Sequence, residues 1–449
     1  MAKKPTIQYV CSNCGASQNS WSGKCPQCGE WNTLQEQLTA ATLAGSVARG
    51  GVLASQSVAG SVAKDNSRLR TGMPEVDDVF GGGIVAGSVN LIAGQPGIGK
   101  STLLLQLAYA VAESSPVLYI SGEESAHQIG LRAQRLGTLR PELQLATSTS
   151  AEDIAATISS GTYHLVIIDS IQTLTCQAIS SAAGTVSQIT NSTQLLTLAA
   201  KASNTALILV GHVTKEGSIA GPKVLEHVVD VVLQLEGDRY GGFKILRAIK
   251  NRFGSTNEAG IFEMVEEGLK PVENPSAALL AERQVGDGSI VLATLEGTRP
   301  LLVEVQALVN TTSYGYPKRA ASGFDLNRLN LLVAMLERRT KLNLADKDIY
   351  INIVGGMQIK EPAADLAICM AIGSASKGLQ LKRNSVVFGE VGLSGEIRHV
   401  SQVEKRLAEA KKLGFDGAIG PEQRSGKKLT GLHGVSNVRD ALNKFLEKD

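Results

Sequence analysis

Residues 88–102 read SVNLIAGQPGIGKST: an apolar run, a glycine-rich loop and the opening of a helix. Residues 94–101 fit the pattern G-x-x-x-x-G-K-[ST], and the flanking strand and helix are the context that gives it meaning. Gly94, Gln95, Pro96, Gly97, Ile98, Gly99, Lys100, Ser101 and Thr102 are therefore the candidate ATP-binding residues. Gly97 and Gly99 let the backbone wrap phosphate oxygens, and amides at the helix start meet their charge. Lys100 is placed to neutralise the β- and γ-phosphates, and Ser101 to hold Mg²⁺.

Working outward, the spans 116–121, 164–169 and 205–211 read as further strands. Helical patterns lie near 125–136, 151–160 and 187–203. Such alternation predicts parallel βαβ units and an α/β fold with a mostly parallel sheet. The spans 228–236, 243–250 and 260–266 follow with short gaps and read as a terminal antiparallel set. Asp169 ends the strand LVIID, where a carboxylate reaches the magnesium shell. Glu123 and Glu124 follow the strand VLYIS. Either can open the next helix as a favourable N-terminal charge, and Glu123 is the one chosen to polarise an attacking water. His212 closes the strand LILVGH, as a γ-phosphate sensor or as a structural histidine.

The amino end differs in kind. Cys11-x2-Cys14-x10-Cys25-x2-Cys28, with Gly15 and Gly29 after each pair, makes two metal knuckles. Four sulfurs suit one tetrahedral Zn²⁺, and so short a segment needs the metal to fold. Redox pairs and an iron–sulfur centre are the alternatives. Cys176 and Cys369 stand alone and read as packing residues. Residues 32–70, rich in Ala, Ser, Gly, Thr and Val, read as a linker. The boundaries drawn are a zinc finger over 1–31, a linker over 32–70, an ATPase domain over 71–275 and a second α+β domain over 276–449.

Composition limits the partners. With 44 basic and 42 acidic residues, the 449-residue chain has a net charge of +2, so any nucleic-acid surface is a local patch. No apolar run reaches the roughly 18 residues of a membrane span. No signal peptide is seen, and a cytoplasmic protein is expected.

Further segments carry a family resemblance. Thr71-Gly72, Asp77-Asp78, Gly81-Gly82-Gly83-Ile84, the phosphate loop, SGEES at 121–125 and LVIIDS at 165–170 resemble the RecA-type ATPase core. With the four-cysteine finger and Lys250-Asn251-Arg252-Phe253-Gly254, nearly the whole chain resembles the RadA (Sms) family of bacterial DNA repair proteins. The resemblance implies a hexameric, DNA-dependent ATPase of the helicase-motor type. It would extend RecA-made joints by branch migration on single-stranded or branched DNA. It also implies catalytic roles for Lys100, Glu123, Lys250 and Arg252. The last two stand two apart at a strand end, so both can face one side and reach a neighbour's γ-phosphate; a solvated edge strand is the other reading. Candidate DNA contacts are Lys215 and Lys223, with Lys318, Arg319 and Arg328 beside Tyr314 and Tyr316.

Residues 355–372 and 389–410 resemble the catalytic domain of Lon proteases. The nucleophile's place falls on Ala363 and the lysine's on Glu404, with Lys405 next to it. A Ser-Lys dyad cannot form, which points to an inactive scaffold. Two other functions fit the same motifs: a nucleotide-gated ring of the clock-protein kind that moves no DNA, and an ATP-dependent protease, which Ala363 disfavours.

Overall fold

The computed structural model describes residues 7–38, 57, 68–212, 223–237, 243–313, 315–382, 384–423 and 429–447. Two compact units emerge, Met1–Asn66 and Ser67–Asp449.

In the first unit, β1 (Ile7–Cys11) pairs antiparallel with β2 (Ser17–Gln18) and with β3 (Leu34–Leu38). The finger drawn at 1–31 therefore continues to Leu38: β3 lies in what composition marked as linker. Its backbone register Cys11↔Leu34 ties it to a metal-ligand strand. Gly15 and Gly29 both take φ of 75°, which closes each knuckle.

The second unit holds two sheets. Its first part runs α1 (Pro74–Phe80), β4 (Val89–Gly94), α2 (Lys100–Val111), β5 (Val117–Ser121), α3 (Ala126–Arg135), β6 (Leu143–Thr147), α4 (Ala151–Ser159), β7 (Leu165–Asp169), α5 (Val186–Ser203), β8 (Ala206–His212), α6 (Lys223–Val228), β9 (Val231–Gly237), β10 (Phe243–Asn251), β11 (Ala259–Val265) and β12 (Gly268–Pro271). Among the described residues these strands form a nine-stranded sheet in the order β12-β11-β10-β9-β4-β8-β7-β5-β6. The strands from β9 to β6 are parallel. β9, β10 and β11 form the expected antiparallel set, which β12 continues, and on its other edge β9 is parallel to β4.

Strand residues alternate between two cores. Ile92, Ile167 and Ile208 pack on one side of the sheet, and Leu91, Val166 and Leu207 on the other. A strand covered on both faces reads as an unbroken apolar run, as β7 and β8 do. The phosphate loop thus leaves the carboxyl end of a central strand, where ligands bind in open α/β sheets.

The second part comprises α7 (Pro275–Leu280), β13 (Ser289–Glu296), β14 (Arg299–Thr311), β15 (Arg319–Ser322), α8 (Leu326–Thr340), β16 (Lys347–Ile353), α9 (Asp365–Lys377), β17 (Gln380–Leu381), β18 (Ser385–Val387), β19 (Glu390–Val391), β20 (Ile397–Arg398), α10 (Val403–Lys412), β21 (Gly417–Pro421), β22 (Leu432–Val435), α11 (Val438–Phe445) and β23 (Leu446–Glu447). Its main sheet has the order β15-β16-β14-β13-β18-β21-β22. The two parts share a core: Ile245 and Ile261 of β10 and β11 belong with Leu292, Val303 and Leu336. The alternate residues Leu246 and Phe262 face the core of the first part instead. Polar clasps reinforce the junction. Arg247 is bidentate to Glu296 at 2.5 and 2.6 Å, and Arg299 reaches both Glu75 oxygens at 2.9 and 3.0 Å.

Candidate nucleotide site and metal centre

The phosphate loop bends where glycine is required. Gly99 has φ of 112°, and a Cβ there would lie 2.6 Å from Met264 Cε. Pro96, Gly97, Gly99, Lys100, Ser101 and Thr102 line a cleft of about 520 Å³ with Glu123, Asp169 and His212. The other loop residues act from behind. Ile98 buries its side chain in the core, and Gly94 and Gln95 accept from Lys100 Nζ at 3.0 and 3.1 Å. Burial lowers the Lys100 pKa, opposed by the nearby Asp169 and Glu123. Its ammonium sits waiting on backbone carbonyls that a phosphate would replace.

Asp169 stands at the head of β7 and is 7% exposed. Its Oδ2 accepts from Ser101 Oγ at 2.6 Å and from Tyr119 Oη at 2.7 Å. Burial, then the Asp169 carboxylate, raises the Tyr119 pKa well above the usual phenol range, so Tyr119 remains a donor. Tyr119 escaped the sequence reading. The available signal was a phenol inside an otherwise apolar strand, whose hydroxyl must find a partner once buried.

The two neighbouring glutamates separate in space. Glu124 is held by Arg132 at 2.5 Å. Glu123 accepts from Ser170 Oγ and lies 3.5 Å from His212 Nε2, while His212 Nδ1 is 3.2 Å from Lys100 Nζ. Glu123 is thus the carboxylate that faces the lysine and the histidine across the cleft. Gly122 makes this turn possible, because a Cβ there would meet Thr173 Oγ1 at 2.1 Å.

Lys250 and Arg252 do not line this cleft. Lys250 Nζ donates to the carbonyls of Glu226 at 2.5 Å and Val229 at 2.8 Å, capping the end of α6. Arg252 is half exposed and 3.0 Å from Asp230. The rest of the motif is architectural. Asn251 Nδ2 donates to Val79 and Phe80 carbonyls, Phe253 packs on the ATPase core, and a Cβ on Gly254 would be 3.0 Å from Gly81 Cα.

The basic candidates disperse. Lys215 and Tyr314 lie outside the described residues, and Lys223 is the first residue of α6. Lys318 is exposed, and Arg319 donates to Asn330 at 3.4 Å. Arg328 bonds buried Asp365, with Nε 3.0 Å from Oδ1, and the Val391 carbonyl at 3.0 Å. A phosphate contact would have to compete with that buried carboxylate.

The dyad positions differ in burial, and Ala363 is 1% exposed. Glu404 and Lys405 are exposed on α10, and Lys405 Nζ donates to the Thr298 carbonyl at 3.3 Å. The inward residue is Arg406, fully buried, donating to the Ala293 carbonyl at 2.6 Å and paired with Glu361. Sequence reading missed this pair, since a charged residue in an amphipathic helix is ordinarily assigned to its solvated face.

In the amino-terminal unit, the ligand atoms of Cys11, Cys14, Cys25 and Cys28 lie within 4.8 Å of one another. A Thr33 hydroxyl at 3.2 Å is the first cause of a Cys11 pKa lowered to about 6. Four such sulfurs cannot all ionise without a cation between them, and an all-thiolate set of this size fits tetrahedral Zn²⁺.

Comparison with known families now matches all three parts. Residues 9–36 match the rubredoxin metal binding domain, 58–218 the AAA domain, and 329–424 the subunit ChlI of Mg-chelatase. The DNA repair protein RadA of Bacillus subtilis is 47% identical, covering 99% of each chain. The chain belongs to the RadA family. The RadA of Halalkalibacterium halodurans is 46% identical over 98% of this chain and 99% of its own, and that of Escherichia coli 43% over 99% of each. The crystal structure of the RadB recombinase covers 46% of this chain, at 23% identity and a TM-score of 0.37. This RadA-family chain joins a four-cysteine rubredoxin-type metal-binding unit, a P-loop domain matching the AAA family and a domain matching subunit ChlI of Mg-chelatase. Among its described residues no helix is long and apolar enough to cross a membrane.

Proposed function

We propose that this chain is a DNA-dependent ATPase that assembles as a hexameric ring and drives branch migration in homologous recombination. Its partners would be single-stranded or branched DNA and the RecA recombinase, in the cytoplasm. The observation that carries the reading is a nucleotide cleft in which Lys100, Ser101, Glu123 and Asp169 converge, while the family's Lys250 and Arg252 stand away from it.

Within the cleft, Lys100 would leave the Gly94 and Gln95 carbonyls for the β- and γ-phosphates. Ser101 and Asp169 supply two hard oxygens, a set that fits Mg²⁺, which when bound would neutralise phosphate charge. Glu123 would orient and polarise the attacking water, and His212 would report γ-phosphate loss from Lys100 to Glu123. Lys250 and Arg252 would complete a neighbour's site, tying hydrolysis to assembly. Lys318 and Arg319, with Lys215 and Lys223, remain the proposed DNA contacts. The Lon-like domain would serve as a scaffold without peptidase activity.

Strand displacement on forked and three-strand DNA tests this. ATP-dependent displacement together with DNA-stimulated hydrolysis is expected. Nucleotide-driven ring assembly with hydrolysis indifferent to DNA would replace the motor with the clock-protein reading.

A further inference from the structure

We infer that Tyr119 is a positioning residue for magnesium: its hydroxyl fixes the Asp169 carboxylate so that the free oxygen faces the cleft. The inference rests on the reading of the cleft as a Mg–ATP site.

Tyr119 and Ser121 lie two apart on β5, so their side chains share a face. β5 runs parallel beside β7, with Tyr119 opposite Ile167 and Ser121 opposite Asp169. A phenol is long enough to reach two residues further along, and the Tyr119 hydroxyl meets Asp169 Oδ2 at 2.7 Å. The ring is 1% exposed and packs in the ATPase core, so it has one pose available. Oδ2 then holds two donors, Ser101 Oγ and Tyr119 Oη, which pin the carboxylate rotation from opposite chain segments. Ser101 Oγ would also offer a lone pair to Mg²⁺, whereas the buried Tyr119 hydroxyl would serve Asp169 alone. It is the contact that holds Asp169 still in both states. On the same strand pair, Ser121 Oγ accepts from the Glu123 and Glu124 amides at 3.2 and 2.9 Å. One face of β5 thus orients both acids of the site, Asp169 through Tyr119 and Glu123 through Ser121.

The test is Tyr119→Phe, which keeps the ring and removes one oxygen. ADP binding is measured by calorimetry in EDTA and across a Mg²⁺ series, alongside kcat and KM for ATP and a thermal melt. The inference expects unchanged ADP affinity in EDTA. It expects the half-saturating Mg²⁺ concentration to rise about tenfold, as for losing one hydrogen bond to a charged group. kcat should fall more than KM rises. An unchanged Mg²⁺ half-saturation in the folded variant overturns the inference, as does an equal loss of affinity with and without Mg²⁺, which marks a packing role only. Should Tyr119→Phe not fold, Ser121→Ala probes the same face: a kcat loss with unaltered Mg²⁺ half-saturation keeps the two duties separate, and a Mg²⁺ shift there contradicts the assignment to Tyr119. Wild-type protein that shows no Mg²⁺-dependent ADP binding would instead defeat the underlying reading of the cleft.

Discussion

The nucleotide cleft and the Ala363 region both gather acids and bases at the end of a sheet, yet they use them in opposite ways. At the cleft, two charged groups keep partners that can be exchanged: Glu123 is 42% exposed, and the buried Lys100 rests on carbonyls that a ligand can displace. Around Ala363 each acid is consumed. Glu361 accepts from Arg406, Thr294 and Leu295, and Asp365 accepts from Arg328 and the Val391 amide. A site poised for chemistry keeps a partner to exchange, whereas a scaffold leaves none. The contrast teaches that charge clusters near a cleft must be read by what remains uncommitted.

The largest effect that would break this contrast lies in the scaffold. Arg406→Met should destabilise the fold by about 3–5 kcal/mol, because Glu361 loses its buried partner. Urea unfolding checks it, and a loss below about 1 kcal/mol would mean that the pair is not structural. Next, Lys100→Ala should lower ATP turnover by about 10²–10³-fold, with little change in melting temperature. Undiminished DNA-stimulated turnover would place the working cation elsewhere. Third, Cys28→Ala should lose the zinc and unfold the ribbon, while the Ser67–Asp449 unit keeps its ATPase. Elemental analysis of reduced protein checks the metal, and iron in the wild type would overturn it. The smallest effect is at Ala363→Ser, where no peptidase activity is expected. The buried hydroxyl would find neighbouring acids and arginines already paired. Cleavage of an unfolded protein by that variant, lost again with Glu404→Ala added, would show that Glu404 can act as base.

How legible all this was depended on local chemistry. The strands β4, β5, β7 and β8 announce themselves, because burial on both faces makes apolar runs interrupted in β4 by Asn90 and in β5 by Tyr119. β6 (LQLAT) is half exposed, and β21 (GAIGP) carries glycines and a proline, so neither shows a strand pattern in sequence. β12 is four residues long and takes its place through Gln106, which both donates to and accepts from Leu269. The phosphate loop and the cysteine knuckles are local motifs with fixed spacing, and they place their residues without a fold. Tyr119, Asp230 and the Glu361–Arg406 pair act through contacts between distant segments. Asp230, for one, accepts from the Val89 amide and from Arg252. Nothing in a linear pattern says that a strand tyrosine will reach a carboxylate fifty positions on. The finger's end was misjudged for a related reason: LQEQL becomes a strand only when β1 is there to pair with it.

The central claim is that hydrolysis is completed by a neighbouring subunit, and mixed rings test it most directly. Lys250 caps α6 in its own chain and lies outside its own cleft. Lys100→Ala and Lys250→Ala proteins are each expected to hydrolyse ATP poorly, for different reasons. Combined under conditions where subunit exchange is demonstrated, they should recover activity, because intact Lys100 sites then meet intact Lys250 donors across an interface. Recovery with a maximum near equal mixing is the predicted result. Exchanged rings no more active than the two parents would contradict the account and leave Lys250 as a helix cap of its own subunit.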